Sequence, residues 1–462
     1  MRSIRVAVIG AGPAGIYAAD ILSKEYAGAE VDVFDRLPAP YGLVRYGVAP
    51  DHPRIKEIIK ALGRVMSNES IRFFGNVDYG TDVKLADLRR HYDATIFATG
   101  AMRDQPLDIP GVDLPGSHGA ADFVSWYAGH PDVPREWPLE AESVAVVGAG
   151  NVALDVARML AKPAEEQLST EIADSVHEGL AGNRATDIHV FVRRGPAQVK
   201  FSPMELRELS HSPSVDVVVE PEGFEIDDAS QELVSRNKGV RTVVNTLLKY
   251  LDAEPTGAAH RIHIHLCQAP VEILGTDRVE AIRTERTELQ GDGSVRGTGE
   301  FVETPVQAVY RAVGYLSDQL PDVPFDHQRG VISNDGGRVL GIDGEPMVGT
   351  YTTGWVKRGP VGLIGHTKGD ALETIGHILD DRAAGVLTDP VYPDESAIVE
   401  LLESKGVDFV DWEGYHRVES AEKAAGEVEG RERIKLATRE EMLAEARGHV
   451  TAESVGQSSA SH

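Results

Sequence analysis

Two glycine-rich stretches carry the clearest chemistry in the sequence. The first, Gly10-Ala11-Gly12-Pro13-Ala14-Gly15, follows an apolar run, and Asp35 closes a second apolar run twenty positions beyond Gly15. With this spacing Gly10 permits a tight turn, Gly12 lets the backbone approach a pyrophosphate and Gly15 allows a helix to pack closely on a strand. The phosphates then sit at the helix N-terminus, where free N–H groups and the dipole favour anions, and the acid accepts hydrogen bonds from a ribose. By itself this suits NAD as well as FAD. The second stretch, Gly148-Ala149-Gly150-Asn151-Val152-Ala153, repeats the logic, but the strand after it ends on Arg193-Arg194 in place of an acid. Guanidinium forks suit a 2′-phosphate that a carboxylate would repel, which selects NADP over NAD.

Other polar residues stand at positions that ask for a role. Asn151 and Asp155 are four apart and share a helix face, and Asp155, flanked by Leu154 and Val156, needs a partner for its carboxylate. His52 precedes a proline in a loop, where a histidine taken alone is more often structural than functional. Gly359-Pro360-Val361-Gly362 reads as a tight turn immediately before a helix from Leu363 onward, whose positive end can face a ring that gains negative charge.

These residues need elements to hold them. Ile4 to Ile9 reads as a strand, Ala14 to Leu22 as a helix and Val31 to Asp35 as a strand. The unit then recurs as a strand over Ser143 to Val147, a helix from the second glycine stretch to about Leu160, and a strand over Ile188 to Val192. The interval from Ala153 to Arg193 exceeds the usual ~20 residues, so Lys162 to Thr186 reads as an insertion. Tyr92 to Gly100 reads as a strand and Asp108 to Gly116 as a crossing loop. Val309 to Tyr315 resembles the former and, with Val348 to Gly354, reads as a return to the first domain. The expected fold class is α/β, with two Rossmann-like three-layer dinucleotide-binding domains of glutathione-reductase type. In that arrangement residues 1–103 and 314–450 form one domain and 104–313 an inserted second. Asp394 to Leu402 and Arg439 to Arg447 have helical periodicity, and 451–462 is a polar tail expected to fray.

Composition narrows the function. A single cysteine, Cys267, excludes an internal disulfide, a CxxC redox pair and a cysteine-ligated iron–sulfur cluster within the chain. A formal net charge of −27 argues against nucleic acid or anionic membrane as a partner. No apolar stretch approaches the roughly 18 residues of a membrane span. The N-terminal residues show no export signal, so a cytoplasmic location is expected.

Several longer stretches together resemble a known family, adrenodoxin reductase and the similar bacterial ferredoxin–NADP reductases, over nearly the whole length. They are Tyr41 to Pro53, Phe74-Gly75-Asn76-Val77, Gly150 to Arg158, Arg193-Arg194-Gly195-Pro196, Glu205-Leu206-Arg207-Glu208 and Gly354 to Pro360. The resemblance implies a flavoprotein that takes a hydride from NADPH onto FAD and delivers electrons singly to an iron–sulfur ferredoxin. It places FAD contacts at Ala14, Asp35, Leu43, Tyr79, Trp355, Gly362, Leu363 and Ile364, beside Gly10, Gly12 and Gly15 of the motif. NADP contacts fall at Asn151, Val152, Ala153, Leu154, Arg193, Arg194, Glu205 and Gly362, beside Gly150. It also pairs Asp155 with His52 near the reacting rings; hydride transfer needs no general base, so losing either should slow turnover without abolishing it. Asp35 stands where such proteins commonly have Glu, Tyr79 replaces a small aliphatic residue and Leu363 a valine.

Ferredoxins are generally acidic, so docking on this acidic chain asks for a local basic patch. Arg207 matches a family position for it, and Arg236, Lys238 and Arg241 form a second cluster. An oxygen-using NADPH oxidase or monooxygenase, and a binding module that does not turn over, remain alternatives at this level.

Overall fold

The computed structural model describes residues 3–362 and 364–448, so the readings made for Leu363 and for 451–462 lie outside the described residues. Two compact units are formed. One comprises the described residues of Met1–Arg103, Ala128–Asp132 and Tyr315–His462, and the other Asp104–Tyr127 and Val133–Gly314. Each is an α/β dinucleotide-binding fold, the second inserted in the first.

The first unit is built on a seven-stranded sheet. Its order is Asn334–Asp335, Arg338–Leu340, Pro346–Thr352, Ala94–Phe97, Arg5–Ile9, Glu30–Asp35 and Ile71–Gly75. The last five strands run parallel, and the first two are antiparallel additions. From Arg5–Ile9 the chain proceeds to one side, then returns on the other as Ala94–Phe97. Strand order therefore reverses beside Gly10, and in such sheets the crevice at the carboxyl ends there takes the ligand. Both faces of Arg5–Ile9 are covered. Val6 and Val8 share a core with Ile16 and Leu22 of the helix Pro13–Glu25 and Ile375 of the helix Thr367–Ala383, while Ala7 and Ile9 pack with Phe34, Leu88 and Leu402. Burial on two sides explains why the strand reads as an unbroken apolar run.

Helices at Glu395–Ser404 and Arg439–Ala446 occupy the two late periodic segments, and a third, Trp412–Glu429, lies between them without a sequence expectation. It is anchored by the buried pair Arg45–Glu422 at 2.5 Å, while Lys435 Nζ donates to the Arg45 carbonyl at 2.6 Å and that of Ala128 at 2.9 Å. Each of these cations has its partner, which burial makes necessary.

A six-stranded parallel sheet forms the second unit, in the order Ser117–Gly119, Ala308–Arg311, Ser143–Val147, Asp187–Phe191, His260–His265 and Val215–Val219. This corrects one expectation. The Val309 to Tyr315 segment does not return the chain to the first domain; its strand, Ala308–Arg311, is a central strand of the second sheet, and Pro346–Thr352 is what pairs with Ala94–Phe97. Both runs are short and apolar, so composition alone could not say which parallel sheet each would enter. A three-stranded antiparallel sheet, Gln268–Leu274, Ala281–Leu289 and Val295–Pro305, was not anticipated either. Its Ile273 and Ile282 pack on Ala145, Val147, Phe191 and Val309 and cover one face.

The Asp104 carboxylate accepts from Ala121 N at 3.0 and 3.1 Å, at the start of the helix Ala120–Tyr127. Burial, with Asp122 adding repulsion, pushes its pKa up to about 6. An unfolded Asp titrates near ~3.9, so the folded state binds this proton more tightly. The resulting stabilisation is full below about pH 4 and is lost as the pH rises through about 6. Asp104→Asn is accordingly expected to raise the melting temperature at pH 8 and leave it nearly unchanged at pH 4. Calorimetry at both values checks this, and an equal shift at each would refute it.

Candidate functional site

In the first unit the glycines divide by what the protein itself demands. Gly10 has φ +114° and a Cβ there would lie 2.5 Å from the Ala98 carbonyl oxygen; a Cβ on Gly15 would lie 2.0 Å from that of Gly10. Packing requires both. Gly12 differs: at φ −77°, ψ 177° any residue fits the backbone, and the nearest neighbour of a Cβ is Gly42 Cα at 3.9 Å. The fold leaves that space open, as a backbone approaching a pyrophosphate needs. Gly12 begins the helix Pro13–Glu25 without a side-chain cap, so the first-turn N–H groups around Ala14 face no competing side-chain acceptor.

Asp35 lies beside this loop, but its oxygens are engaged by backbone. Oδ2 accepts from Ala11 N at 2.7 Å and Oδ1 from Leu37 N at 2.9 Å. Burial raises its pKa and these two N–H groups oppose the rise. The carboxylate thus fastens the glycine loop itself, and each oxygen keeps a further acceptor lone pair. Leu43 opens the short helix Leu43–Tyr46 after Gly42. The Tyr79 ring packs edge-on against Phe97, with its hydroxyl donating to the Pro321 carbonyl at 2.8 Å. His52 begins the helical turn Pro53–Lys56.

Where Pro346–Thr352 ends, Gly354 takes φ +71° within 2.5 Å of Ala14 Cβ for a built Cβ, which brings this segment against the glycine loop. Two polar atoms here are buried without a partner among the described residues, Thr353 Oγ1 and the indole Nε1 of Trp355. A buried donor left unpaired is costly. Donors beside the glycine loop suit a bound group that carries acceptor atoms, such as a dinucleotide. Gly362 has φ +90°. The helix expected from Leu363 starts later, with a 3₁₀ turn at Ile364–His366 and the α-helix at Thr367–Ala383.

The same division holds in the second unit. A Cβ on Gly148 would meet the Ala312 carbonyl oxygen at 2.3 Å, whereas one on Gly150, at φ −114°, would meet nothing within 4 Å. Gly150 begins the helix Asn151–Ala161, again without a side-chain cap; this helix carries Val152, Ala153 and Leu154. Asn151 Oδ1 accepts from Ser202 N at 2.7 Å and so fixes the start of the helix Pro203–Glu208, where Ser202 Oγ caps Glu205 N at 3.2 Å. Asp155 bonds Arg158 Nη2 at 2.8 Å, and Arg158 Nη1 lies 3.8 Å from Glu205. Sequence reasoning missed Arg158, although its three-residue spacing from Asp155 was the available signal.

Arg193 and Arg194 follow the strand Asp187–Phe191. The Arg193 carbonyl is held by Thr287 Oγ1 at 2.8 Å and that of Arg194 by Cys267 N at 3.1 Å. The backbone is pinned while neither guanidinium has a carboxylate partner among the described residues, and Arg194 Nε is buried without a protein partner. Cys267 itself is buried, and burial pushes its thiol up to about 11, which keeps it unreactive near neutral pH.

The expected basic cluster straddles two helices, Asp228–Arg236 and Lys238–Leu251. Arg236 pairs with Glu232 at 2.5 Å, and Arg241 caps the Val234 and Ser235 carbonyls at 3.1 and 3.0 Å. Lys238 and Arg207 are exposed.

The family model described as pyridine nucleotide-disulphide oxidoreductase matches residues 4–319. NADPH-ferredoxin reductase FprA of Mycobacterium tuberculosis is 40% identical over 458 residues, covering 96% of this chain and 99% of that protein. The chain belongs to this family, in its adrenodoxin reductase-like branch. The mitochondrial NADPH:adrenodoxin oxidoreductase of Arabidopsis thaliana is 36% identical and covers 96% of each chain. The solved structure of Mycobacterium tuberculosis FprA in complex with NADPH superposes with a TM-score of 0.89 at 38% identity, over 97% of this chain and all of that one. The single inert cysteine separates this chain from the disulfide-reducing chemistry in the family's name. Among the described residues no helix is long and apolar enough to cross a membrane.

Proposed function

We propose that the protein is an FAD-dependent NADPH–ferredoxin reductase. One observation carries the reading. Two strand-order reversals each bear a glycine that the fold does not require, one beside an acid and the other followed by two arginines without carboxylate partners among the described residues. FAD belongs to the first unit, through Gly10, Gly12, Ala14, Gly15, Asp35, Leu43, Tyr79, Trp355, Gly362, Leu363 and Ile364. NADP(H) belongs to the second, through Gly150 to Leu154, Arg193, Arg194 and Glu205, and the family resemblance adds Gly362 to its contacts. FAD, when bound, supplies the exchange between a two-electron hydride donor and a one-electron iron–sulfur acceptor.

The chain's own part is placement. Gly12 and Gly150 admit phosphates to helix N-termini, and Arg194 offers a preset donor to the 2′-phosphate. Asp155, held by Arg158, and His52 are the polar residues that the family resemblance assigns to the reaction. The ferredoxin partner is acidic and docks on exposed basic side chains, for which Arg207 and Lys238 are the candidates. The expected compartment is the cytoplasm.

Mixing the flavin-loaded protein with NADPH in a stopped-flow instrument is expected to bleach the flavin band, and reduction of cytochrome c is expected to need added ferredoxin and to fall steeply with salt. A flavin that NADPH leaves oxidised would overturn the reductase reading. NADPH consumption independent of ferredoxin would point to oxygen as the acceptor.

A further inference from the structure

The turn Gly359–Gly362 has unusual backbone freedom for a segment assigned to a cofactor. Gly359 and Gly362 take φ +93° and +90°, and space is open around the Cβ position of Gly359. Glycine reaches such angles freely and loses more conformational entropy than other residues when it is ordered, so contacts must hold the turn in place. Two neighbouring cations do so. Lys357 pairs with Glu373, and Arg358 Nε bonds Asp370 Oδ2 at 2.5 Å. Asp370 and Glu373, three apart, share a face of the helix Thr367–Ala383. These two ion pairs tie the residues that lead into the turn to one helix.

Arg358 also reaches into the turn, where its Nη1 donates to the Val361 carbonyl. In a trans peptide the C=O and N–H point in opposite directions, and the described residues contain no cis bond. Holding the Val361 carbonyl towards Arg358 therefore turns the N–H of Gly362 away from it. That N–H has no partner among the described residues.

We propose that Arg358, braced by Asp370, is a positioning residue that aims the Gly362 N–H at an acceptor atom on the bound flavin. The proposal rests on the assignment of Gly362 to FAD made above. A donor held this way stabilises negative charge that grows as the flavin is reduced, because it costs no reorganisation at that moment.

The test uses Arg358→Gln, Asp370→Asn, the double variant and Arg358→Lys, all in the full-length, flavin-loaded protein. The expected result is a more negative flavin midpoint potential and an altered visible spectrum in both single variants. Flavin reduction at saturating NADPH should slow by about 10-fold, with the double variant no worse than either single because both act through one brace. Lysine, able to hold one partner at a time, should restore part of the potential. Melting temperature should move little, which separates aiming from general support. Unchanged potential and spectrum in both single variants, or additive losses in the double, would overturn the proposal. A wild-type flavin that NADPH fails to bleach would instead sink the reductase reading, while the potential and spectrum still judge the brace.

Discussion

Replacing Arg193 and Arg194 together by alanine is expected to raise the KM for NADPH by roughly 100-fold or more and to leave that for NADH within a few-fold. A hydrogen bond to a charged group contributes about 1.5–3 kcal/mol, and two guanidiniums on one phosphate multiply to that range. The singles should be unequal. Arg193 is exposed and its charge is screened by water, whereas Arg194 is partly buried with Nε already desolvated and unpaired, so Arg194→Ala should account for most of the loss. Steady-state kinetics with both nucleotides reads this directly. Equal effects on NADPH and NADH would remove the case for a 2′-phosphate site.

The second large effect separates two glycines in one motif. Gly12→Val is expected to abolish FAD binding while the apo-protein keeps its circular dichroism and melting temperature, because the added side chain enters space the fold leaves open. Gly15→Ala should do the reverse in cause: its Cβ falls 2.0 Å from the Gly10 carbonyl oxygen, so helix and strand must part, at a cost of about 1–3 kcal/mol or more. Flavin content after gel filtration, with thermal melts of flavin-free protein, distinguishes the cases. A Gly12→Val protein that retains flavin, or one that fails to fold, would show that the open space is not the phosphate approach.

Much of the candidate site could be read along the chain, and the misses share a cause. The partner of Asp155 within its unit, Arg158, was visible at helical spacing, but Glu205 joins them from a helix placed by the Asn151–Ser202 bond. Asp35 read as a ribose ligand because its type and distance fit; that both its oxygens also hold backbone N–H groups depends on how the loop after it turns. The helix Trp412–Glu429 escaped notice because its charges look solvated, and the reason Glu422 can be buried is Arg45, 377 residues earlier.

Sequence by itself determined the two strand–glycine–helix units, the expectation of a dinucleotide at the first and of NADP at the second through Arg193-Arg194, and the exclusion of cysteine chemistry. All of these depend on residues close together in the chain, where spacing translates directly into geometry. Only the tertiary structure decided which sheet received Ala308–Arg311, what covers each face, which of the motif glycines the fold itself requires, and how Arg358 is braced by Asp370. Those outcomes depend on contacts between distant segments, where short apolar runs are interchangeable by composition and become distinct only through the register and neighbours they acquire on folding.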